Sequence, residues 1–370
     1  MKFNLRNAAA GTCLLAGFTL PHLALAADSV TMYGILDNSV QYLNNGPGGG
    51  SRTSMSSGGW NGSRWGMRGA EDLGNGAKAI FALESGIDMN NGKTLQSGRL
   101  FGRQAWVGLS DKDLGQLTMG RHNTLMLDWM SKFTPFDNAT ISAKVLDAAF
   151  SDRMDNSVKY SNKLGPVTVG TYYSFGWNNE QNFVDRSVGR MFGAGLRYNE
   201  NAWDAALLYH TKHADAPKTG ADGDNREDRI VAGLSYDMDV VKLYVGYRWL
   251  EQKLVQRNYT SNLYWAGFDY KPSSPTTLSL AILKMNGTAC DNMNYAACPA
   301  VQRAGSDQKP TMIIAGAQYD LSKRTTLYAL GGYSINSHGS SVSVIGGNYG
   351  VNVEPGKNQF GMSLGMRHRF

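Results

Sequence analysis

Cysteine, proline and long apolar runs are all scarce in this sequence. Its 370 residues hold three cysteines and ten prolines, too few cysteines for a disulfide-built scaffold. A strong charge of one sign is also missing. Thirty-six Lys and Arg against 30 Asp and Glu leave a net +6, too mild and too dispersed for nucleic-acid binding. Past the first 26 residues no stretch reaches the ~18 consecutive apolar residues of a membrane helix. Few segments show a helical period, which excludes a helical bundle.

The first 26 residues read as an export signal. Lys2 and Arg6 form a positive start, Ala8–Leu20 an apolar stretch stopped by Pro21, and Ala24-Leu25-Ala26 a cleavage site of small residues. Residues 1–26 are thus expected to be cleaved, leaving 27–370 as one exported domain with a net charge of +4, since only Lys2 and Arg6 carry charge in the part removed.

The remainder is rich in glycine (44) and tyrosine (18) and alternates strictly. Phe360, Met362, Leu364 and Met366 interleave with Gly361, Ser363, Gly365 and Arg367. Val241, Leu243, Val245, Tyr247 and Trp249 interleave with Lys242, Tyr244, Gly246 and Arg248. Phe192, Ala194, Leu196 and Tyr198 interleave with Gly193, Gly195 and Arg197. A period of two predicts strands with one apolar face.

A soluble sandwich would also alternate. Here the second face carries Arg, Lys and Gly, which suits a wet interior and not a second packed sheet. The connections also differ by side. Asn199–Ala202, Asp237–Asp239, Lys271–Pro275 and Asp320–Arg324 are short; His213–Asp228, Thr288–Gln308 and Ser337–Lys357 are long and polar. Tyr160, Tyr198, Tyr236, Tyr270, Tyr319 and the terminal Phe370 each end a strand on the short-turn side, as an aromatic girdle at a membrane interface would. The expectation is an all-β, 16-stranded antiparallel transmembrane barrel in an outer membrane, wide enough for an aqueous channel. Strands are expected to start near Val30, Gly58, Ala77, Arg99, Gly115, Arg153, Val167, Gly189, Ala202, Arg229, Val240, Leu263, Thr276, Thr311, Thr325 and Asn358. The twelfth and fourteenth are the least regular, because Trp265 and Ile314 fall on the lumen face.

One connection departs from the pattern. Gly120–Arg153 is about thirty residues with no tight turn, long enough to be functional in its own right. We expect it to fold inward and narrow the pore. Arg64, Gly66 and Arg68 share one face with Trp65 and Met67 opposite, Arg103 is expected to face away from Trp106, and Arg153, Asp155 and Lys159 oppose Val158 and Tyr160. Arginines on a narrow low-dielectric wall focus a positive potential. Asp128, Asp137 and Asp147 of the long segment are the candidate facing acids. The competing reading has the arginines only pairing with acids to stiffen the segment.

Other motifs carry less. Cys290 and Cys298 bracket seven residues in a long loop, and in an oxidising compartment a disulfide there is expected to add about 2.5 kcal/mol of local stability. His210 and His213 point to opposite sides of a strand and lack further ligands, so no metal is expected. Gly46–Gly50 lacks the Lys-Ser/Thr of a phosphate loop. No Ser-His-Asp set and no cofactor motif is visible, although a barrel phospholipase stays conceivable with His122 near the pore.

The stretches SVTMYGILDNSVQY, SRWGMRGAEDLGNGAKAIFALESG, RLFGRQAWVGLSDKDLGQLTMGRH and the ending GMRHRF resemble the trimeric general porins of Gram-negative bacteria, in the beta-proteobacterial (Burkholderia/Neisseria-type) branch. The resemblance spans the whole exported chain. It implies a homotrimer amid outer-membrane lipid and lipopolysaccharide, passive diffusion of small hydrophilic solutes and ions, no enzymatic activity, and a terminal Phe370 read by the barrel-assembly machinery. It places the family's wall arginines on Arg64, Arg103 and Arg153, with Arg68 one step further along. Enteric relatives carry an acid after the proline of the third loop and another shortly before. Here Phe136 follows Pro135, and Lys132 stands at the earlier place. Asp137 either replaces the missing acid or points elsewhere. A weak preference for anions is expected. A channel specific for anions or sugars is the alternative, and a surface adhesin or receptor the less favoured one; scattered lumen candidates Tyr33, Tyr244 and Tyr328 argue against a sugar ladder.

Overall fold

The computed structural model of the chain describes residues 29–178, 187–214, 226–253, 259–287, 309–337, 340–346 and 350–370. The expected signal (1–26) and the Cys290–Cys298 pair lie outside the described residues.

The chain forms one antiparallel sheet of seventeen segments. In order they are β1 (Ser29–Leu43), β2 (Arg52–Ser57), β3 (Arg64–Gly74), β4 (Ala77–Gly86), β5 (Gln104–Asp111), β6 (Gly115–Asn123), β7 (Arg153–Leu164), β8 (Val167–Ser174), β9 (Met191–Glu200) and β10 (Trp203–His213). There follow β11 (Arg226–Asp237), β12 (Val241–Lys253), β13 (Tyr259–Ser273), β14 (Thr276–Gly287), β15 (Thr311–Asp320), β16 (Thr325–Ile335) and β17 (Gln359–Arg369).

β2 and β3 both pair with β1, one after the other along its length, so they are two halves of a single stave. The sixteen staves close on themselves where β1 pairs with β17, from Ile35 opposite Arg369 to Leu43 opposite Gly361. Closure removes the unpaired edges that would be untenable in lipid. Beyond β17, Phe370 exchanges backbone hydrogen bonds with Gly34 at 3.1 and 3.2 Å, so the last residue locks the seam.

The alternation reads out as expected. Val245, Leu196, Ile282, Leu364 and Met366 are exposed on the outer face, while Arg248, Tyr244, Ser363 and Ser279 are buried inside. Strand starts agree to within a few residues, with two exceptions. The second stave begins at Arg52 and is broken at residues 58–63, where Trp60 turns inward to only 3% exposure. The fourth begins at Gln104, not near Arg99. That late start corrects one facing assignment: Trp106 lies on the lumen face, stacked 5.9 Å from His122. Arg103 still reaches the lumen because it precedes the regular strand.

Candidate functional site

The segment between β6 and β7 is tied at its base. Thr124 bonds to the Asp152 carbonyl through both its amide (3.2 Å) and its hydroxyl (3.1 Å), and it caps a single helical turn, Leu125–Asp128. Three 3-10 turns follow, at Met130–Phe133, Ala143–Val145 and Ala148–Ser151.

Its apolar side chains lie against lumen-face glycines of five strands. A Cβ on Gly170 (β8) would come within 2.7 Å of the Trp129 ring. The same holds at 2.6 Å for Gly233 (β11) and Phe133, 2.9 Å for Gly267 (β13) and Pro135, 2.8 Å for Gly316 (β15) and Phe136, and 2.7 Å for Gly332 (β16) and Ile141. These glycines let the segment lie flush on the inner wall. Between them the wall is apolar: Leu263, Trp265, Met312, Ile314 and Leu330 join Phe133, Phe136 and Phe150 in one buried cluster. Trp265 and Ile314, irregular in the alternation, are therefore the floor on which the segment rests. The Trp265 indole donates to the Phe133 carbonyl at 2.8 Å, and the Thr140 amide donates to Gly59 in the broken stave at 3.0 Å.

The three candidate acids go to three different places. Asp147 is buried between Arg229 of β11 (3.0 and 3.1 Å) and Arg248 of β12 (2.9 Å). Burial alone would raise its pKa; Arg229 and then Arg248 outweigh burial and hold it well below the usual carboxylate range. Asp128 accepts from Lys159 at 2.5 Å and from Asn123 at 3.0 Å; burial would raise its pKa too, but Lys159 brings it down. Both are anchors and not facing acids, which corrects that expectation for these two. Asp137 differs. Held by the Ser131 hydroxyl at 2.7 Å, with its backbone at φ 43, it acts electrostatically on Arg64 of β3. Lys132 is exposed on the same segment.

Opposite lies the charged part of the wall. Arg103 donates to Glu84 at 2.6 Å, whose other oxygen accepts from Tyr33 at 3.0 Å. Arg68 stacks over the Tyr33 ring at 5.4 Å. Asp155 takes Arg99 at 2.7 Å and Arg121 at 2.5 Å. Arg153 stands in the field of Arg103, Arg121 and Arg64. With Arg64, six arginines stand beside two acids, Glu84 and Asp155, and only Arg99, Arg103 and Arg121 pair with them; neither Arg64 nor Arg153 takes part in an ion pair among the described residues. The structure brings Arg64, Arg103, Arg153 and Asp137 together, leaves Arg68 at the margin, and sends Asp128 and Asp147 elsewhere.

Three features escaped the sequence. The lumen tyrosines are structural: besides Tyr33, Tyr244 donates to Asp269 at 2.7 Å and Tyr328 to Asp37 at 2.6 Å. The connection after β16, expected to be a polar outer loop, buries Val342, Val344 and Ile345 beside Ile141, and Gly346 bonds to the Thr140 carbonyl at 3.0 Å. Its alternating Ser-Val-Ser-Val was the available signal. The His210 ring, weighed with His213 as a metal pair and set aside, meets the Tyr172 hydroxyl at 2.5 Å.

A family model described as Gram-negative porin matches residues 9–339. The chain is 31% identical over 392 residues to an outer membrane porin protein of Bordetella pertussis, covering 96% of this chain and 98% of that one. It is 30% identical to outer membrane porin protein 32 of Delftia acidovorans, covering 94% and 95%. Among solved structures it is similar to the anion-selective porin from Comamonas acidovorans, with TM-score 0.78 and 27% identity over 93% of this chain and 100% of that one.

Proposed function

The chain belongs to the Gram-negative porin family, and from that premise we propose that Arg64, Arg103 and Arg153 set the ion preference of its channel. The protein is an outer-membrane barrel through which small hydrophilic solutes and ions diffuse; porins are channels and not enzymes. The observation that carries the reading is the surplus of arginine over acid on the wall facing the segment, with Arg64 and Arg153 outside any ion pair among the described residues. A low-dielectric wall around a narrow passage strengthens such a field. The pore therefore prefers anions weakly, because salt screens the field beyond about 8–10 Å. Asp137 is the acid that faces the strip. The anion-selective porin from Comamonas acidovorans supports the same sign.

Assembly as a homotrimer in outer-membrane lipid and lipopolysaccharide is part of this proposal. So is recognition of the terminal Phe370 by the barrel-assembly machinery, and export through cleavage after residue 26. A solved structure of the same fold, an outer membrane protein of Vibrio cholerae in a trimer form, is in line with the first.

Reversal potentials in a planar bilayer under a salt gradient test the ion preference. Wild type should prefer anions. Arg64→Glu and Arg153→Glu should each shift the potential toward cations, more at low salt than at high salt. Arg103→Glu should do the same while also placing two acids side by side at Glu84. Arg369→Glu, at the exposed end of β17 beside the Arg324 turn, should do much less. Cation preference in wild type, or equal shifts from Arg64→Glu and Arg369→Glu, would sink the assignment.

A further inference from the structure

The arginine strip faces a cation that the sequence reading passed over. Lys144 sits on the 3-10 turn Ala143–Val145, and its ammonium donates to the Asn138 carbonyl at 2.9 Å. That one bond leaves most of its charge unbalanced. The groups acting on it are Arg153 at the start of β7, Arg103 at the entrance to β5, and Asp137 of its own segment. Asp137 also acts on Arg64 of β3, and Arg103 is bonded to Glu84 of β4. Behind Lys144 lies Gly346, and the described stretch 340–346 that carries it is Ser-Ser-Val-Ser-Val-Ile-Gly, with no charge. Lys144 therefore has a neutral stretch beside it and shares one field with Arg103 and Arg153.

We propose that Lys144 is a specificity-determining residue of the channel, contributing a positive charge from the segment itself to the field of the wall arginines. The proposal rests on the reading that wall arginines set the ion preference, and deepens it.

The sign follows from the surroundings. Burial, then Arg153 and Arg103, disfavour the ammonium, and Asp137 only partly offsets them, so the group is lowered to about 7. Below that pH the amine is charged and the passage carries one more positive charge; above it the charge is lost. Anion preference should therefore fall as pH rises through neutrality.

The test is the reversal potential of wild type, Lys144→Met and Lys144→Arg at about pH 5.5 and about pH 8.5, in the range where only histidines and perturbed amines titrate. His122 and the other histidines are common to all three proteins, so the differences between them report Lys144. Wild type should lose roughly half of its anion-to-cation permeability ratio between the two pH values, a modest change because salt screens the field. Lys144→Met should match wild type at high pH and show no such step. Lys144→Arg should keep the low-pH preference at both. If wild type prefers anions but Lys144→Met and Lys144→Arg follow its pH course unchanged, the Lys144 assignment is overturned and the arginine reading survives. Should wild type prefer cations at both pH values, the arginine reading itself fails. Folding of each variant is checked by heat-modifiable mobility, and Lys144→Arg, which keeps the charge and the donor, decides the matter if Lys144→Met does not assemble.

Discussion

From β8 to β16 the lumen face offers glycines and apolar side chains to the long segment. From β3 to β7 the same face offers arginines and acids. Both regions obey one strand alternation and one sheet, yet the first is apolar, the dry side, and the second charged, the side open to water. On the dry side a charge survives only inside a closed set, as with Asp147 between Arg229 and Arg248. On the wet side arginines can outnumber acids, because water solvates what the acids do not. The segment between β6 and β7 separates the two. Its apolar residues face one wall; Asp137 and Lys144 face the other.

The contrast can be broken most strongly at the buried ion set. Asp147→Ala leaves Arg248 without a carboxylate and Arg229 with Glu227 alone, and removing one partner of a buried pair typically costs about 3–5 kcal/mol. The segment should loosen from β11 and β12, and single-channel recordings should show larger, noisier conductance. Unchanged, quiet conductance would mean that apolar docking alone holds the segment.

A smaller effect is expected from overfilling a seat. Gly233→Val drives a side chain into the Phe133 ring, and such overpacking costs about 1–3 kcal/mol. It should alter conductance without abolishing the barrel. Gly331→Ala is the control, since a Cβ there meets nothing closer than 3.9 Å. Equal effects of the two would show that the glycines are not seats.

The smallest effect concerns acid. Asp147 and Asp128 have folded pKa values below their unfolded ones, so their contribution to docking is complete above the ordinary carboxylate pKa of about 4 and is lost as pH falls through the lowered values. Conductance, corrected for bulk conductivity, should stay flat down to about pH 4. A docking transition near pH 5 would show that neither acid holds the segment as charged anchor.

The barrel was legible because each of its signals is local. Alternation in Val241–Trp249, short turns such as Asn199–Ala202 and the aromatic strand ends each need only a few neighbouring residues. The candidate site was legible in part. Arg64, Arg68 and Arg153 follow from strand parity. Arg103 reached the lumen for a different reason, its place ahead of β5. Asp128 and Asp147 are indistinguishable from Asp137 in sequence, since all three are acids on one irregular segment, and Lys144 carries no pattern of its own.

Sequence by itself determined the sheet, its two faces, the number of staves and the existence of one over-long connection, because a period of two follows from backbone geometry alone. Tertiary structure decided which inner face stays dry, which acids are anchors, and which charges meet across the passage. Those outcomes depend on contacts between residues far apart in the chain, such as Asp147 with Arg229 and Phe133 with Gly233, and no local periodicity encodes them.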